Sequence, residues 1–249
     1  MIFSDLHAHT NFCDGKNTPE EMVLSAIEKG LKEIGLVVHS YTFFDQSYCV
    51  SLGGVKEFQK VMAQLKIKYA DKINVLCGVE QDVYSTASTV GFDYVIGSAH
   101  YFKVGDKYAD VDRSKESFIK TVNELFCGDY YAAAENYFNA VKKAAEFNAD
   151  IIGHFDLISK FNDGDCLFST KDERYIKAYT DAINTLTKKQ GRVFELNVGG
   201  ISRGYKKEPY PSEEMVELIK ERGGKLILSS DSHKKENLAV GFAEWEKLL

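Results

Sequence analysis

All six histidines of the 249-residue chain lie at or just after the C-terminal end of a short apolar segment. These histidines are His7, His9, His39, His100, His154 and His233. Two carboxylates, Glu80 and Asp231, occupy the same kind of position. Imidazole nitrogens and carboxylate oxygens are the usual protein ligands of catalytic zinc, manganese and iron. Because histidines used only for packing would have no reason to follow segment ends, the pattern predicts a site for several divalent metal ions.

The spacing of these residues supports a shared site. His7 and His9 are two residues apart, and such residues on a strand point to the same face, so both imidazoles can reach one ion. Asp231 and His233 repeat this spacing after the last apolar segment, and the first and last strands of a closed barrel are neighbours. A single histidine at a strand end is more often an ordinary polar residue. All six histidines at such positions, together with two same-face pairs, favour metal ligation. Glu80, as a carboxylate, could bridge two ions.

Seven apolar segments are predicted to be strands. They are Ile2–Leu6, Glu33–Val38, Ile73–Val79, Phe92–Ser98, Asp150–Gly153, Arg192–Val198 and Lys225–Ser229. Most are continuous apolar runs, as expected for a parallel sheet covered on both faces. Helical patterns alternate with them. The clearest begins with Thr18 as N-cap, Pro19, and Glu21 closing a capping box, and ends near Gly30. The other predicted helices are Gly54–Asp71, Ser114–Phe126, Tyr130–Phe147, Lys171–Lys189 and Ser212–Arg222.

This alternation of strands and helices implies parallel strands joined by right-handed crossovers. Seven such units in 249 residues predict an α/β protein with a closed or nearly closed β/α barrel, whose active site gathers at the C-terminal ends of the strands. Residues 101–149 are more than one crossover requires and are predicted to hold two helices. The chain has three prolines and no low-complexity tract or linker, so residues 1–249 are predicted to form a single domain.

Composition narrows the class of protein. A net charge of −6 argues against a general nucleic-acid-binding protein, which normally carries a basic face. The five cysteines form no CxxC pair and are expected to be reduced thiols. The N-terminus does not resemble a signal peptide, and no segment approaches the roughly 20 apolar residues of a membrane span. We therefore expect a cytoplasmic protein with neither a nucleic-acid nor a membrane partner. The oligomeric state stays open.

Six short motifs resemble those of the PHP (polymerase and histidinol phosphatase) family. They are Asp5-Leu-His7-Ala-His9-Thr10, Val38-His39-Ser40, Gly78-Val-Glu80, Gly97-Ser-Ala-His100, Ile152-Gly-His154-Phe-Asp156 and Ser229-Ser-Asp231-Ser-His233. The resemblance implies a distorted (β/α)7 TIM-like barrel with three divalent metal ions at the C-terminal ends of its strands. By this resemblance, a first ion is held by His7, His9, Glu80 and Asp231. A second is held by Glu80, His100 and His154, and a third by His39 and His233.

The third ion shows a departure from the family pattern. Many members complete it with a histidine a few residues after the His-x-His pair, but this chain has Thr10-Asn-Phe-Cys-Asp14-Gly15 there. Asp14 is the expected substitute, because a carboxylate is a good ligand for hard and borderline cations. The alternative is that Asp14 and Gly15 only form a turn. These ligand types suit Zn²⁺, Mn²⁺, Fe²⁺ and Co²⁺, so the identity of the metal stays open.

Clustered divalent ions suit phosphoester hydrolysis, because they polarise phosphoryl oxygens and lower the pKa of water to give a hydroxide near neutral pH. No motif for a covalent nucleophile or a P-loop occurs. Asp231 is expected to combine metal ligation with a catalytic role. A phosphate also requires positive charge, and Arg203, in a glycine-flanked loop after a predicted strand, is the first candidate. The alternative for Arg203 is an ordinary solvated side chain, and Lys160 is the second candidate.

Further motifs point within the family. Glu195-Leu-Asn197, Gly200, Arg203 and Glu208-Pro-Tyr210-Pro-Ser212 resemble the stand-alone histidinol-phosphatase branch. That resemblance implies hydrolysis of a small phosphomonoester, L-histidinol phosphate, in histidine biosynthesis, with Asn197 among the substrate contacts. A cationic amino-alcohol suits an acidic, aromatic mouth. Its expected lining is Asp156, Tyr101, Phe102 and Phe161. The alternatives are a PHP phosphoesterase acting on nucleotides or phosphotyrosine, and a metal-binding module without enzymatic activity.

Overall fold

The computed structural model describes residues 4–147 and 149–249 of the chain. Within them, the strands are β1 (Ser4–His9), β2 (Glu33–His39), β3 (Asn74–Asp82), β4 (Tyr94–Ser98), β5 (Tyr101–Val104), β6 (Lys107–Asp110), β7 (Ile151–Ile152), β8 (Val193–Asn197) and β9 (Lys225–Ser229). Seven form one parallel sheet in the order β1-β2-β3-β4-β7-β8-β9. The other two, β5 and β6, form an antiparallel hairpin.

The sheet curls into a nearly closed barrel. Ala8 of β1 forms a parallel bridge with Ser232, which lies just after β9. The backbone N–H of His9 donates to the carbonyl of Ser232 at 2.7 Å, and the N–H of Ser232 donates to the carbonyl of His7 at 3.3 Å. The first and last strands are therefore neighbours, as the sequence predicts, and the expected distorted (β/α)7 barrel is confirmed.

The barrel interior contains one apolar layer to which each of the seven strands contributes. Its members are Leu6, Val37, Leu76, Tyr94, Ile96, Ile151, Val193 and Ile227. Tyr94 is the largest, and its hydroxyl donates to the carbonyl of Leu6 at 2.5 Å. A Cβ at Gly35 would lie 2.1 Å from the Tyr94 oxygen, and one at Gly78 would lie 2.3 Å from the Tyr94 ring. These two glycines therefore make the space that the Tyr94 ring fills below the strand ends.

The helices are α1 (Pro19–Glu28), α2 (Gly54–Lys68), α3 (Lys115–Phe126), α4 (Tyr130–Val141), α5 (Glu173–Leu186), α6 (Gly199–Ser202), α7 (Glu213–Glu221) and α8 (Phe242–Trp245). The predicted capping box is present, because the backbone N–H of Glu21 donates to the Thr18 hydroxyl and the Glu21 carboxylate accepts from the Thr18 N–H. Gly30 follows with φ +77°. No helix in the described part of the chain is long and apolar enough to cross a membrane.

Three details differ from the sequence predictions. The first strand continues to His9, and the start predicted at Ile2 lies outside the described residues. The helix predicted to reach Phe147 ends at Val141 and continues as a 3₁₀ turn, Lys142–Ala145. The two helices expected within 101–149 are present, but the β5–β6 hairpin before them was not predicted. Its strands have only four residues each, too few to show a clear alternation.

Candidate metal centre

The predicted metal ligands all lie at the C-terminal end of the barrel. His7 and His9 end β1, His39 ends β2, Glu80 lies near the end of β3, and His100 follows β4. His154 follows β7, and Asp231 and His233 follow β9. Parallel strands deliver these ends to one rim of the sheet, so residues far apart in sequence meet there. All of them except Asp14 and His233 are buried.

A first group of donor atoms surrounds one point. His7 Nε2 and His9 Nε2 are 3.1 Å apart, and Glu80 Oε2 lies 3.2 Å from the first and 3.3 Å from the second. Asp231 Oδ1 lies 3.7 Å and 3.5 Å from the same two nitrogens. Four atoms at about 2.0–2.2 Å from one tetrahedral ion would be about 3.3–3.6 Å apart. His7, His9 and Glu80 are therefore spaced as ligands of a single ion, and Asp231 Oδ1 lies close to the two imidazoles.

The second oxygen of Glu80 belongs to a second group. Glu80 Oε1 lies 2.9 Å from His154 Nε2 and 3.2 Å from His100 Nε2. One carboxylate thus presents an oxygen to each group, which is the arrangement expected of a bridging ligand. His39, which the family resemblance assigns to the third ion, has its Nδ1 3.0 Å from Glu80 Oε2. The three groups of donors are therefore adjacent to one another.

Asp14 completes a third group. Its Oδ2 lies 3.1 Å from His233 Nε2, and its Oδ1 lies 3.6 Å from His39 Nε2. The His9 ring stacks between those of His39 and His233, with centroids 4.3 Å from each. The structure therefore brings Asp14 to the two imidazoles that the family resemblance assigns to the third ion.

The other ring nitrogens of three histidines are anchored, which orients their lone pairs. His7 Nδ1 lies 2.6 Å from Glu195 Oε1, and His100 Nδ1 lies 3.2 Å from Asp82 Oδ2. His233 Nδ1 lies 3.0 Å from the backbone carbonyl of Asp231 and 3.2 Å from Arg203 Nη1. In a neutral imidazole that donates through Nδ1, Nε2 carries the lone pair. In this neutral form, His7 and His100 would point their Nε2 lone pairs at carboxylate oxygens, a repulsive arrangement that a cation between them would make attractive.

Two further observations show that the residues fit metal ions. Glu80 Oε2 and Asp14 Oδ1 are buried acceptors with no hydrogen-bond partner among the described residues. Burial would raise the pKa of Glu80, but in the absence of metal the protonated imidazoles of His7, His39 and His100 outweigh it and hold the pKa well below its usual value. Glu80 is therefore ionised at neutral pH, and its charge creates a strong local demand for cations.

Asp231 is held in an unusual backbone conformation. Its φ is +48°, a left-handed value that is uncommon for residues other than glycine and asparagine. Burial raises the pKa of Asp231, but the charges of Arg203 and His7 lower it by more, so the pKa lies well below its usual value. Arg203 Nη2 donates to Asp231 Oδ2 at 2.8 Å, while Oδ1 faces His7 and His9. The two oxygens of Asp231 thus have separate partners.

The metal centre opens into a cavity of about 480 Å³. Arg203 and Lys160, the two predicted phosphate contacts, both line it. Lys160 Nζ donates to the Asp112 carboxylate at 3.0 Å and to its backbone carbonyl at 2.7 Å. Both cations therefore lie beside the cluster of ligands, each paired with an acidic residue of the same cavity.

Asn197 and Asp156 are not brought to this cavity. Asn197 is fully buried, and its amide donates to Glu195 Oε2 and accepts from the N–H of Gly199. These contacts favour a role in orienting Glu195 over the predicted contact with substrate. Asp156 lines a separate cavity. Of the predicted aromatic lining, Tyr101 lines the metal cavity, whereas Phe102 lies in the hydrophobic core and Phe161 lines a third cavity.

Sequence reasoning missed two groups of residues at this site. Glu195, in the middle of β8, and Asp82, at the end of β3, anchor metal-facing histidines. Only Asp82 has the strand-end position that the sequence could have indicated. Three carboxylates of the metal cavity were also missed. They are Asp45, Asp110 and Asp112. They come from the loop after β2 and from the end of the β5–β6 hairpin, whose position depends on tertiary structure.

The model of the PHP domain matches residues 5–199 of the chain. The chain belongs to the PHP family. A protein of Deinococcus radiodurans named probable histidinol-phosphatase is 27% identical to this chain, over 96% of this chain and 90% of its own length. A solved structure of a candidate histidinol phosphatase from Listeria monocytogenes has a TM-score of 0.84 at 24% identity, covering 97% of this chain and 99% of that one.

A second solved structure, from Lactococcus lactis, is a histidinol phosphate phosphatase in complex with zinc, L-histidinol and phosphate. It has a TM-score of 0.69 at 21% identity and covers 98% of this chain and 91% of that one. At these identities the two solved structures establish the shared barrel fold of the PHP chain.

Proposed function

We propose that this PHP protein is a histidinol-phosphatase, which hydrolyses L-histidinol phosphate to L-histidinol and phosphate. The observation that carries the proposal is the convergence of imidazole nitrogens and carboxylates on shared points, beside a cavity that contains Arg203 and Lys160. Relatives that match nearly the whole chain carry the name histidinol-phosphatase. The substrate is inferred from the names of these relatives, and the hydrolytic chemistry is inferred from the residues of the site.

The three donor groups are proposed to hold three divalent ions, of zinc, manganese, iron or cobalt. The first group is His7, His9, Glu80 and Asp231, the second is Glu80, His100 and His154, and the third is Asp14, His39 and His233. When bound, such ions polarise phosphoryl oxygens and lower the pKa of water. Closely spaced donors at the ends of six of the seven barrel strands give this set little freedom to relax, which favours metal binding without reorganisation.

The remaining residues of the cavity have separate roles in the proposal. Arg203 donates to the phosphoryl group with the guanidinium N–H groups that are not bound to Gly199, His233 or Asp231, and Lys160 adds a second positive charge. Asp231 accepts a proton from the attacking water, while Arg203 holds its second oxygen in place. Asp45 and Asp110 line the same cavity but are ion-paired with Arg113, at 2.6 Å and 3.5 Å, so this part of the cavity is close to neutral.

A substrate panel tests this proposal directly. Phosphate release is measured from L-histidinol phosphate, nucleoside monophosphates, phosphotyrosine and p-nitrophenyl phosphate, with metal content determined on the same sample. We expect kcat/KM to be highest for L-histidinol phosphate. Preference for a nucleotide or phosphotyrosine would assign the chain to another PHP phosphoesterase. Full metal content without any phosphate release would indicate a metal-binding module.

Three further expectations belong to the proposal. Residues 1–249 are proposed to act as one PHP-type domain, because Ser232, beyond the matched region, pairs with Ala8 in the same barrel. A cytoplasmic location is proposed from the five cysteines, all of which are free thiols. That the protein binds neither nucleic acid nor membranes stays a prediction from its charge of −6 and its sequence.

A further inference from the structure

A second cavity of about 640 Å³ lies next to the metal cavity, on the other side of one short turn. The turn is the 3₁₀ helix Leu157–Ser159 with its flanking residues, held by bonds three residues apart such as Ser159 N–H to Asp156 carbonyl at 2.8 Å. In a 3₁₀ turn, side chains three residues apart lie on the same face. One face directs His154, Leu157 and Lys160 into the metal cavity. The other directs Asp156, Ser159 and Asn162 into the second cavity.

Two buried polar groups that line the second cavity have no partner. Asp156 is 1% exposed and Tyr175 is 1% exposed. Asp156 Oδ1 and the Tyr175 hydroxyl form no hydrogen bond with any residue that the structure describes. A buried polar atom left unsatisfied is costly, so native structures usually provide it with a partner. The two atoms therefore indicate a ligand that supplies at least one donor.

A positive group lies near the other oxygen of the Asp156 carboxylate, Oδ2, which accepts from the Ser159 hydroxyl at 3.1 Å. Lys206 Nζ is 3.9 Å from Asp156 Oδ2, too far for a hydrogen bond, and donates to the Ser159 hydroxyl at 2.7 Å. Its side chain is 10% exposed, and an ammonium has three N–H donors, so donors remain for a ligand. The first turn of α7 also lines the cavity through Glu214 and Met215, and the Glu214 carboxylate is paired there with Lys171.

The second cavity thus presents an unpaired acceptor and a cation a few ångströms apart. In an α-amino acid, the nitrogen and the carboxyl carbon are about 2.5 Å apart. An ammonium would satisfy Asp156 Oδ1, and the adjacent carboxylate would accept from Lys206. A simple amine would offer no acceptor to the remaining N–H donors of Lys206. A simple anion would be repelled by the Asp156 carboxylate. The cavity therefore matches a small zwitterion better than either single charge.

We propose that this second cavity is a binding site for a small zwitterion of the α-amino acid type, distinct from the metal cavity. Asp156 and Tyr175 bind its ammonium, and Lys206 binds its carboxylate. The proposal does not depend on the hydrolytic reaction, because binding in this cavity is measured directly.

Calorimetric titration of the metal-loaded protein tests the proposal. The probes are the standard L-α-amino acids one at a time, with ethanolamine and acetate as single-charge controls. We expect saturable binding of at least one amino acid and much weaker binding of both controls. Absence of binding by every amino acid, or equal binding of ethanolamine, would overturn the proposal.

Because amino acids also chelate divalent ions, variants must locate the bound probe. Tyr175→Phe and Lys206→Met should each raise the dissociation constant about ten- to a hundredfold, the usual effect of losing a hydrogen bond to a charged group. Tyr108→Phe, in the β5–β6 hairpin and outside both cavities, should leave it unchanged. Binding that survives both cavity variants would place the probe at the metal centre and refute the site.

A melting measurement separates a ligand site from a structural one. Without amino acid, Tyr175→Phe should keep or raise the melting temperature, because the variant removes a buried hydroxyl that has no partner. A clear fall in the melting temperature, together with unchanged amino-acid binding, would mean that the hydroxyl serves the fold alone.

Discussion

Replacing Glu195 by glutamine tests how the metal centre depends on a residue that is not itself among the proposed ligands. Glu195 is 1% exposed, and its two oxygens accept from three donors. Oε1 lies 2.6 Å from His7 Nδ1, and Oε2 accepts from the His154 N–H and the Asn197 amide, both at 3.0 Å. A glutamine has the same shape, but its NH₂ group cannot accept. Either orientation of the amide therefore places a donor against a donor.

The two orientations have different consequences. If the amide oxygen faces His7, the NH₂ group faces the donors of His154 and Asn197, and the loss of paired buried donors costs about 1–3 kcal/mol of folding stability. If the NH₂ group faces His7, Nδ1 must become the acceptor, and the proton moves to Nε2. His7 then loses the lone pair that faces Glu80 and Asp231. Residues that orient metal ligands typically change metal affinity about 10–100-fold, and we expect a loss in this range for the ion at His7.

Metal affinity is measured by competition with a chromophoric chelator, and stoichiometry by elemental analysis. Melting temperatures with and without metal distinguish loss of fold from loss of ligation. Glu217→Gln, on the exposed face of α7, is the matched control and should leave all three readouts unchanged. Wild-type affinity at every site in a folded Glu195→Gln protein would refute the inference that this carboxylate sets the tautomer of His7.

The remaining predictions concern the cavity and its ligands. Glu80→Gln should lower the occupancy of two ions and the activity together, because its oxygens face two groups; near wild-type turnover with full metal content would contradict this. Asp14→Ala should weaken one ion more than the other two, with partial recovery in Asp14→His, and an anomalous-scattering map with three unchanged ions would exclude it. Arg203→Ala should lower kcat/KM for L-histidinol phosphate about ten- to over a hundredfold. Arg203→Lys should recover only part of it, and full activity of Arg203→Ala would transfer the phosphate contact to Lys160.

The fold and the positions of the proposed ligands could be predicted because both follow from one periodic rule. Buried parallel strands read as continuous apolar runs, and the residue after each run must lie at the same rim. The chain places a histidine or an acid at nearly every such point. The use of Asp14 in place of a histidine could also be predicted, since the prediction required only a carboxylate a few residues after His9. The structure adds the distance of 3.1 Å to His233.

The sequence could not predict in which direction side chains point within irregular segments. Asp156 and Lys160 are four residues apart after the same strand, and a helical or strand period gives no reason to separate them. The 3₁₀ bonds of this turn have a period of three, so Lys160 faces the metal cavity together with His154, whereas Asp156 faces the second cavity. Periodicity is thus informative only where the backbone is regular. In a short turn, a shift of one position in the sequence decides which of the two cavities a charged side chain faces.

The same offset has a consequence for how the two cavities relate. His154 is a proposed ligand, and Asp156 is a proposed contact for a zwitterion, yet only one residue separates them in the chain. The N–H of Leu157 bonds to the carbonyl of His154 at 3.0 Å, so the turn that carries Asp156 begins at the ligand itself. A ligand that fixes Asp156 and Ser159 would therefore stiffen the segment that holds His154 and Lys160. Any coupling would be reciprocal, because metal binding at His154 must then change the affinity of the second cavity by the same factor.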